Sequence, residues 1–495
     1  MRRSTRRHFM KTVGLGAVYA AIGASPRRTT QAADNTESRP NILFCIADDW
    51  SWPHASIAGD KVVKTPNFDR VAREGVLFDH AFVTAPSCTP SRGSIVTGQW
   101  HWRLKEGGNL WSTLPAGLPV YPDLLEESGY HVGFTRKGWG PGRHEPGGRT
   151  RNPAGPQYKD FRAFLKARPA GVPFCFWFGS HDPHRGYEWE SGVKSGMKWR
   201  DVDVPGCLPD SETVRKDLCD YYWEVERFDR EVGELLEMLE EQGELDNTLV
   251  VLTGDNGLPF PRCKSNLYDS GTNVPLAVRW TAEVKGQRVV KDFVSLQDLA
   301  PTFLEAAGLT PPGRMTGRSL LHTLKSDRSG RVDSSRDHVL TGKERHAWVR
   351  KGGLGYPCRA IRTYDYLYIR NFEPDRWPAG DPVDGGEPYY KNRGYGDIDN
   401  SPTKSWMMEH RQEREVKSLF ELAFEKRPAE ELYDLRKDPD QLRNIADDPE
   451  YGDAKKELVA GLLAELKATQ DPRVLGRGEV FDGYPYYGGR QPKKQ

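Results

Sequence analysis

Asn41-Ile-Leu-Phe-Cys-Ile-Ala47 is an unbroken apolar run that stops at Asp48-Asp49, and the reading of this stretch decides the fold. Six consecutive apolar residues after Asn41, without polar alternation, describe a strand buried on both faces, and such a strand belongs to a sheet covered by helices on both sides. The same grammar recurs. Pro173 to Gly179 (Pro-Phe-Cys-Phe-Trp-Phe-Gly) ends at Ser180-His181-Asp182-Pro183-His184, and Thr248 to Thr253 ends at Gly254-Asp255-Asn256-Gly257. A shorter strand runs from His131 to Phe134. Between them, Thr65-Pro66 opens a short helix closing at Gly75, and Val225, Phe228, Val232, Leu235, Leu236 and Leu239 recur at helical spacing before Gly243. Strands alternating with helices predict an α/β fold with a large, mostly parallel sheet sandwiched by helices. Ligands bind such sheets beyond the carboxyl ends of the strands, so the polar clusters at 48–49, 181–184 and 255–256 are expected to converge.

At 495 residues the chain suits two domains, one of them large. The polar stretch from Lys325 to Asp337 reads as the linker. This predicts a catalytic domain over 34–336 and a smaller α+β subdomain over 337–495, with an antiparallel sheet and a share of the substrate pocket. Within the latter, Cys358 to Asn371 reads as a hairpin and Asp453 to Lys467 as a helix packed on it.

Residues 1–33 carry Arg6-Arg7-His8-Phe9-Met10-Lys11, then an apolar run from Val13 to Ala24, then small residues up to Ala33. This resembles a twin-arginine export leader, and the run is too short to span a bilayer, which takes roughly 20 apolar residues. The expectation is a periplasmic or secreted protein that meets the twin-arginine export machinery and keeps no stable membrane anchor. The leader holds seven basic residues and no acid, so its removal takes the net charge from +1 to −6, which argues against a nucleic-acid partner. Seven cysteines (45, 88, 175, 207, 219, 263 and 358) include no Cys-x-x-Cys pair, so neither a zinc knuckle nor a disulfide framework is indicated.

Asp48, Asp49, Asp255 and Asn256 form an all-oxygen set with one neutral member, the donor chemistry of a hard divalent cation and not of zinc. Cys88-Thr89-Pro90-Ser91-Arg92, followed by Thr97-Gly98, is the second concentration of signal, with a helix expected to begin near Ser91. It resembles the Cys-x-Pro-Ser-Arg signature of the type I sulfatases of the alkaline-phosphatase superfamily. Ser295 to Phe303 and Glu431 to Pro439 are also typical of that family.

The resemblance implies that a formylglycine-generating or sulfatase-maturating enzyme oxidises Cys88 to formylglycine. Its hydrated aldehyde would attack sulfur, and the sulfated intermediate would then expel sulfate without a second substitution at sulfur. It further implies a calcium ion held by Asp48, Asp49, Asp255 and Asn256, with the formylglycine at Cys88 as a further ligand. Arg92, Lys137 and Lys264 are implied as the cations around the sulfate, and His184 as the contact to sulfate and leaving group. Asp255 is a candidate base. The family's second signature places a histidine two residues after the lysine matched by Lys137, where this chain has Trp139; His101 is one candidate replacement.

Within the family the chain looks most like the sulfamidase (N-sulfoglucosamine sulfohydrolase) branch, through His181-Asp-Pro-His-Arg185, Asp255-Asn-Gly-Leu-Pro-Phe-Pro261 and Tyr356-Pro-Cys-Arg359. The implied substrate is a sulfated saccharide, with His181, Asp182, Arg185, His346 and Arg359 as candidate contacts. The alternatives are an O-sulfatase of algal polysaccharides, a phosphonate or phosphate ester hydrolase of the same superfamily, and an inactive sugar-binding homologue.

Overall fold

The structure, a computed structural model, describes residues 39–382 and 394–488; the leader assigned to 1–33 lies outside them. The described residues from Arg39 onward form one compact unit containing two sheets. The large sheet holds β1 (Asn41–Ala47), β2 (Val76–Phe82), β3 (His131–Arg136), β4 (Phe174–Gly179), β5 (Thr248–Gly254), β6 (Leu276–Arg279) and β7 (Arg288–Ser295) in the order β3-β4-β1-β5-β6-β2-β7. All neighbours are parallel except β6, which runs antiparallel to both β5 and β2.

β1 is central and every one of its residues is buried, as its unbroken apolar run requires. Its alternation assigns the two faces. Leu43, Cys45 and Ala47 pack with helix α1 (Pro66–Glu74) and the long helix α3 (Glu212–Glu241); Ile42, Phe44 and Ile46 pack with helix α2 (Cys88–Thr97) and the helix Leu299–Ala306.

The small sheet is antiparallel throughout, β11-β10-β9-β8, built from β8 (His338–Lys343), the hairpin β9 (Cys358–Thr363) and β10 (Tyr366–Asn371), and β11 (Glu430–Asp434). Leu340, Ile361, Tyr368 and Leu432 cover helix α4 (Gly452–Ala468) through Leu458, Leu462 and Leu466. The opposite face, with Ala360, Leu367, Ile369 and Tyr433, packs on Leu267 and Tyr268. Those two residues follow Lys264 in sequence, and Tyr268 donates to Glu431 of β11 at 2.7 Å. The small sheet therefore braces the turn that carries Lys264.

Candidate active site

The carboxyl ends of β1, β3, β4 and β5 open on one side of the large sheet, and the reactive residues sit there. Asp48-Asp49 leave β1, Lys137 follows β3, Ser180 to Arg185 follow β4, and Asp255-Asn256 follow β5. Two links tie the β1 and β4 ends beyond the strands: Ser180 N donates to Ile46 O at 3.0 Å and Asp48 N to Asp182 O at 2.9 Å. The backbone is specialised for this crowding. Asp49 takes φ 75°, a left-handed conformation that Asp tolerates better than most residues. At Gly179 a Cβ would lie 1.7 Å from the Lys137 carbonyl oxygen, so only glycine lets the β3 loop approach β4 there.

Helix α2 begins at Cys88 and not near Ser91, because Ser87 is extended (φ −160°, ψ 134°) and already acts as the N-cap. Pro90 falls in the first turn, where its missing N–H costs nothing. Cys88 is thus the first helical residue, at the positive end of the helix, and all ten residues of α2 are buried.

Around it three carboxylates and three cations interlock. Cys88 Sγ lies 3.4 Å from Asp48 Oδ1. Lys137 Nζ donates to both oxygens of Asp48 at 2.6 and 2.5 Å. Arg92 donates from Nε to Asp255 at 2.6 Å and from Nη1 to the carbonyls of Lys137 and Gly138 at 2.8 and 3.0 Å. Lys264 Nζ donates to Asp49 at 2.6 Å, Asn256 Nδ2 donates to Asp49 Oδ1 at 2.5 Å, and Asp49 N donates to Asp255 Oδ1 at 3.0 Å. Burial by itself raises the Asp48 carboxyl, but Lys137, His184, Arg92 and Lys264 together hold it well below the ordinary carboxylate range. Burial opposes the charge of Lys264 likewise, and Asp399 and Asp49 outweigh it, pushing the ammonium well above its ordinary value.

One ligand atom each from Asp48, Asp49, Cys88 and Asp255 lie within 4.8 Å of one another. Asn256 Oδ1 is buried at the same place with no hydrogen-bond partner among the described residues. A buried carbonyl oxygen left open beside three carboxylates fits an oxygen-liganded divalent cation.

The residues expected to touch substrate divide. His181, Asp182, His184 and Arg185 line a cavity of about 680 Å³ above Asp48 and Lys137. His184 Nε2 lies 3.9 Å from Asp49, while its Nδ1 is 2.7 Å from the Arg185 carbonyl. Arg185 reaches the cavity wall, but its guanidinium is committed to Asp217 at 2.7 and 2.9 Å and stacks on Phe260. Asp182 is paired with Arg227 at 3.3 Å. His346 is buried with its Nδ1 2.8 Å from Oγ of Ser87, the N-cap of α2, and lies within electrostatic reach of Lys264 and Asp399.

Arg359 is a correction. It is fully buried in β9, held by Asp471 at 2.6 Å and Glu344 at 2.6 Å, and faces Trp102 rather than the cavity. Arg359→Ala is therefore expected to lower the free energy of unfolding by about 3–5 kcal/mol, by stranding buried carboxylates, while leaving the chemistry of the folded fraction intact. Denaturant titration checks it; an unchanged midpoint would remove Arg359 from the structural frame. His101 is likewise in the seam between the sheets, against Trp102 and Gly342 and facing Arg359, so it does not replace the histidine absent at position 139. Trp139 is buried, with its backbone N–H bonded to Asn152 at 3.0 Å.

Sequence reasoning missed Asp399, which accepts from Lys264 at 3.2 Å and brings an oxygen within 4.8 Å of both His184 and Asp49. It also missed Tyr221 of α3, whose hydroxyl donates to the Asp49 carbonyl at 3.2 Å. Neither stands in a motif.

Comparison with known proteins places this geometry. The chain is 28% identical to human N-sulphoglucosamine sulphohydrolase, over 90% of this chain and 93% of that one. It is 26% identical to an ulvan-active sulfatase of Formosa agariphila, over 90% of this chain and 77% of its relative. The fold superposes with a TM-score of 0.62 and 20% identity on a structure solved with its substrate D-glucosamine-2-N,6-O-disulfate, covering 88% of this chain and 98% of that one. Residues 263–381 match the model of the N-sulphoglucosamine sulphohydrolase C-terminal region. The sulfatase model matches residues 40–142 and 156–309, more than half of the sequence, and the chain belongs to the sulfatase family.

Proposed function

We propose that this protein hydrolyses sulfate from sulfated saccharides, with the N-sulfate of terminal glucosamine as the leading substrate, through a formylglycine made from Cys88 and a calcium ion held by Asp48, Asp49, Asp255 and Asn256. The observation that carries this is the convergence of a helix N-terminal cysteine with three buried carboxylates, Arg92, Lys137 and Lys264. The 28% likeness to the human N-sulphoglucosamine sulphohydrolase supports the choice of substrate.

Formylglycine supplies a hydrated aldehyde as nucleophile, and calcium supplies charge to orient the sulfate oxygens. The chain's own groups do the rest. Lys137 and Lys264 line the sulfate position as fixed ammonium groups, and Arg92 locks Asp255 to the β3 loop, so the cations and carboxylates keep one geometry through turnover. The Nδ1–H of His184 donates to the Arg185 carbonyl, an assignment that follows from the acceptor, and Nε2 faces the cavity; the imidazolium form carries a second N–H there, passes that proton to the departing oxygen or nitrogen and is left as the neutral Nδ1–H ring. Trp139 stands where the family's usual second histidine would lie and offers no basic nitrogen, so proton transfer rests on His184 and Asp255.

A screen for free sulfate from N-sulfoglucosamine and from sulfated galactan, ulvan and fucan oligosaccharides tests the substrate. Release from N-sulfoglucosamine is expected, and none from it rejects the sulfamidase reading. Release from ulvan alone selects the O-sulfatase reading, which the 26% likeness to the ulvan-active sulfatase favours. A preference for aryl phosphoesters selects the phosphohydrolase reading, against which the oxygen-only donor set stands. Unconverted Cys88 in the native-host protein, read from the mass of its tryptic peptide, would favour a binding protein.

Dialysis against a chelator is expected to lower sulfate release at least tenfold, roughly the scale of metal-site losses, with calcium and not zinc restoring it. Calcium at about 100 times its Kd should add about 2.7 kcal/mol to stability, measured as a rise in Tm. An unchanged Tm would refute the ion assignment. Export through the twin-arginine machinery to the periplasm or beyond belongs to the same proposal, supported by the leader sequence. Among the described residues no helix is long and apolar enough to cross a membrane.

A further inference from the structure

The cavity over the catalytic groups has one wall that the chemistry at sulfur does not use. Trp139 and Trp177 near it are buried, whereas Trp111 lines the same cavity with 37% of its surface open. Gly488 packs against part of the indole, where a Cβ would meet its Cγ at 2.6 Å, and the open remainder, an apolar ring with one polar N–H, faces the polar cavity as a surface suited to a ligand that is itself partly apolar.

Its backbone is unusual for an aromatic residue. Trp111 has φ 53°, a left-handed conformation that an aromatic L residue seldom adopts. The conformation is imposed from both sides. Tyr487 N donates to the Trp111 carbonyl at 2.7 Å, and Arg143 N donates to the Ser112 carbonyl at 2.9 Å. Ser112 also pairs with Gly142 in a short bridge, where a Cβ on Gly142 would meet the Ser112 carbonyl at 2.4 Å and the Trp139 ring at 3.1 Å. The backbone that carries Trp111 is thereby fastened to the loop that begins at Lys137, which ties the indole's segment to the segment that carries the ammonium.

We propose that Trp111 is the stacking platform for a pyranose ring of the substrate, the residue through which the site holds the saccharide as distinct from its sulfate. The C–H face of a sugar ring is apolar and flat enough to lie on an indole, while the polar edge of the same ring meets Arg136, Gln157 and His181 on the rest of the cavity wall. This rests on the sulfatase reading above and deepens it.

Calorimetric titration of the Cys88→Ala protein with heparan, ulvan, galactan and fucan tetrasaccharides identifies the one bound most tightly. That probe is then titrated into the same protein carrying Trp111→Ala or Trp111→Phe. Trp111→Ala is expected to weaken binding about tenfold and Trp111→Phe, which keeps an aromatic face, by less than about threefold. If Trp111→Ala does not fold, as judged by its melting curve, Trp111→Leu replaces it, since leucine fills space without offering a flat ring. Equal affinity in the parent and in the aliphatic variant overturns the proposal and leaves the sulfatase reading standing. Failure of the parent to bind any of the four overturns both.

Discussion

Cys88→Ala releases sulfate at least about 10⁴-fold more slowly than the parent, with the unfolding midpoint nearly unchanged. The size of the effect follows from the surroundings of the side chain. Burial, and after it the charge of Asp255, raises the Cys88 thiol well above its ordinary value, so the unmodified sulfur stays protonated and is a poor nucleophile. A cysteine placed against Asp48 and Asp255 is of little use as a thiolate, and this is what oxidation to an aldehyde would remedy. Cys88→Ser separates the two ideas further. Its hydroxyl can accept one sulfuryl group but cannot expel it by reverting to an aldehyde, so at most one sulfate per enzyme is transferred. Steady turnover by the alanine variant, measured by sulfate release over many equivalents, would falsify the assignment of the nucleophile.

Asp255→Ala loses both activity and stability. Asp255 and Arg92 are fully buried and joined at 2.6 Å, so the substitution strands a guanidinium in the core at a cost of about 3–5 kcal/mol. It also removes an oxygen from the candidate cation site and the acceptor for the Asp49 N–H, and sulfate release should fall at least about 10³-fold. Asp255→Asn keeps an acceptor oxygen and should recover part of the stability but little of the activity. Chemical denaturation of the two variants beside the parent checks this, and an Asp255→Ala protein as stable as the parent would break the argument.

The central strands and the residues at their ends were legible because a doubly covered strand writes an unbroken apolar run, and the sheet brings such ends together. Thus Asp48, Asp49, Lys137, His184, Asp255 and Asn256 could be named from position alone or from the resemblance. The antiparallel β6, only Leu276–Arg279, was not, since three apolar residues and an arginine carry no direction. Helix α2 starts three residues before the expected Ser91 because an extended Ser87, not a spacing pattern, sets its first turn. Asp399 escaped because its partner Lys264 is 135 residues away and a single ion pair leaves no periodic trace. Arg359 was misplaced for the converse reason: an arginine in a strand reads the same whether it faces a substrate or, as here, two buried carboxylates.

The complete burial of helix α2 has a consequence for timing. Cys88 is buried with the rest of α2, so on the formylglycine reading the maturating enzyme is expected to meet the chain before this helix packs against the sheet. On that reading folding acts as a deadline: a chain that packs first would keep its thiol, and the fraction of competent protein would follow from a race between two rates rather than from the affinity of any finished site.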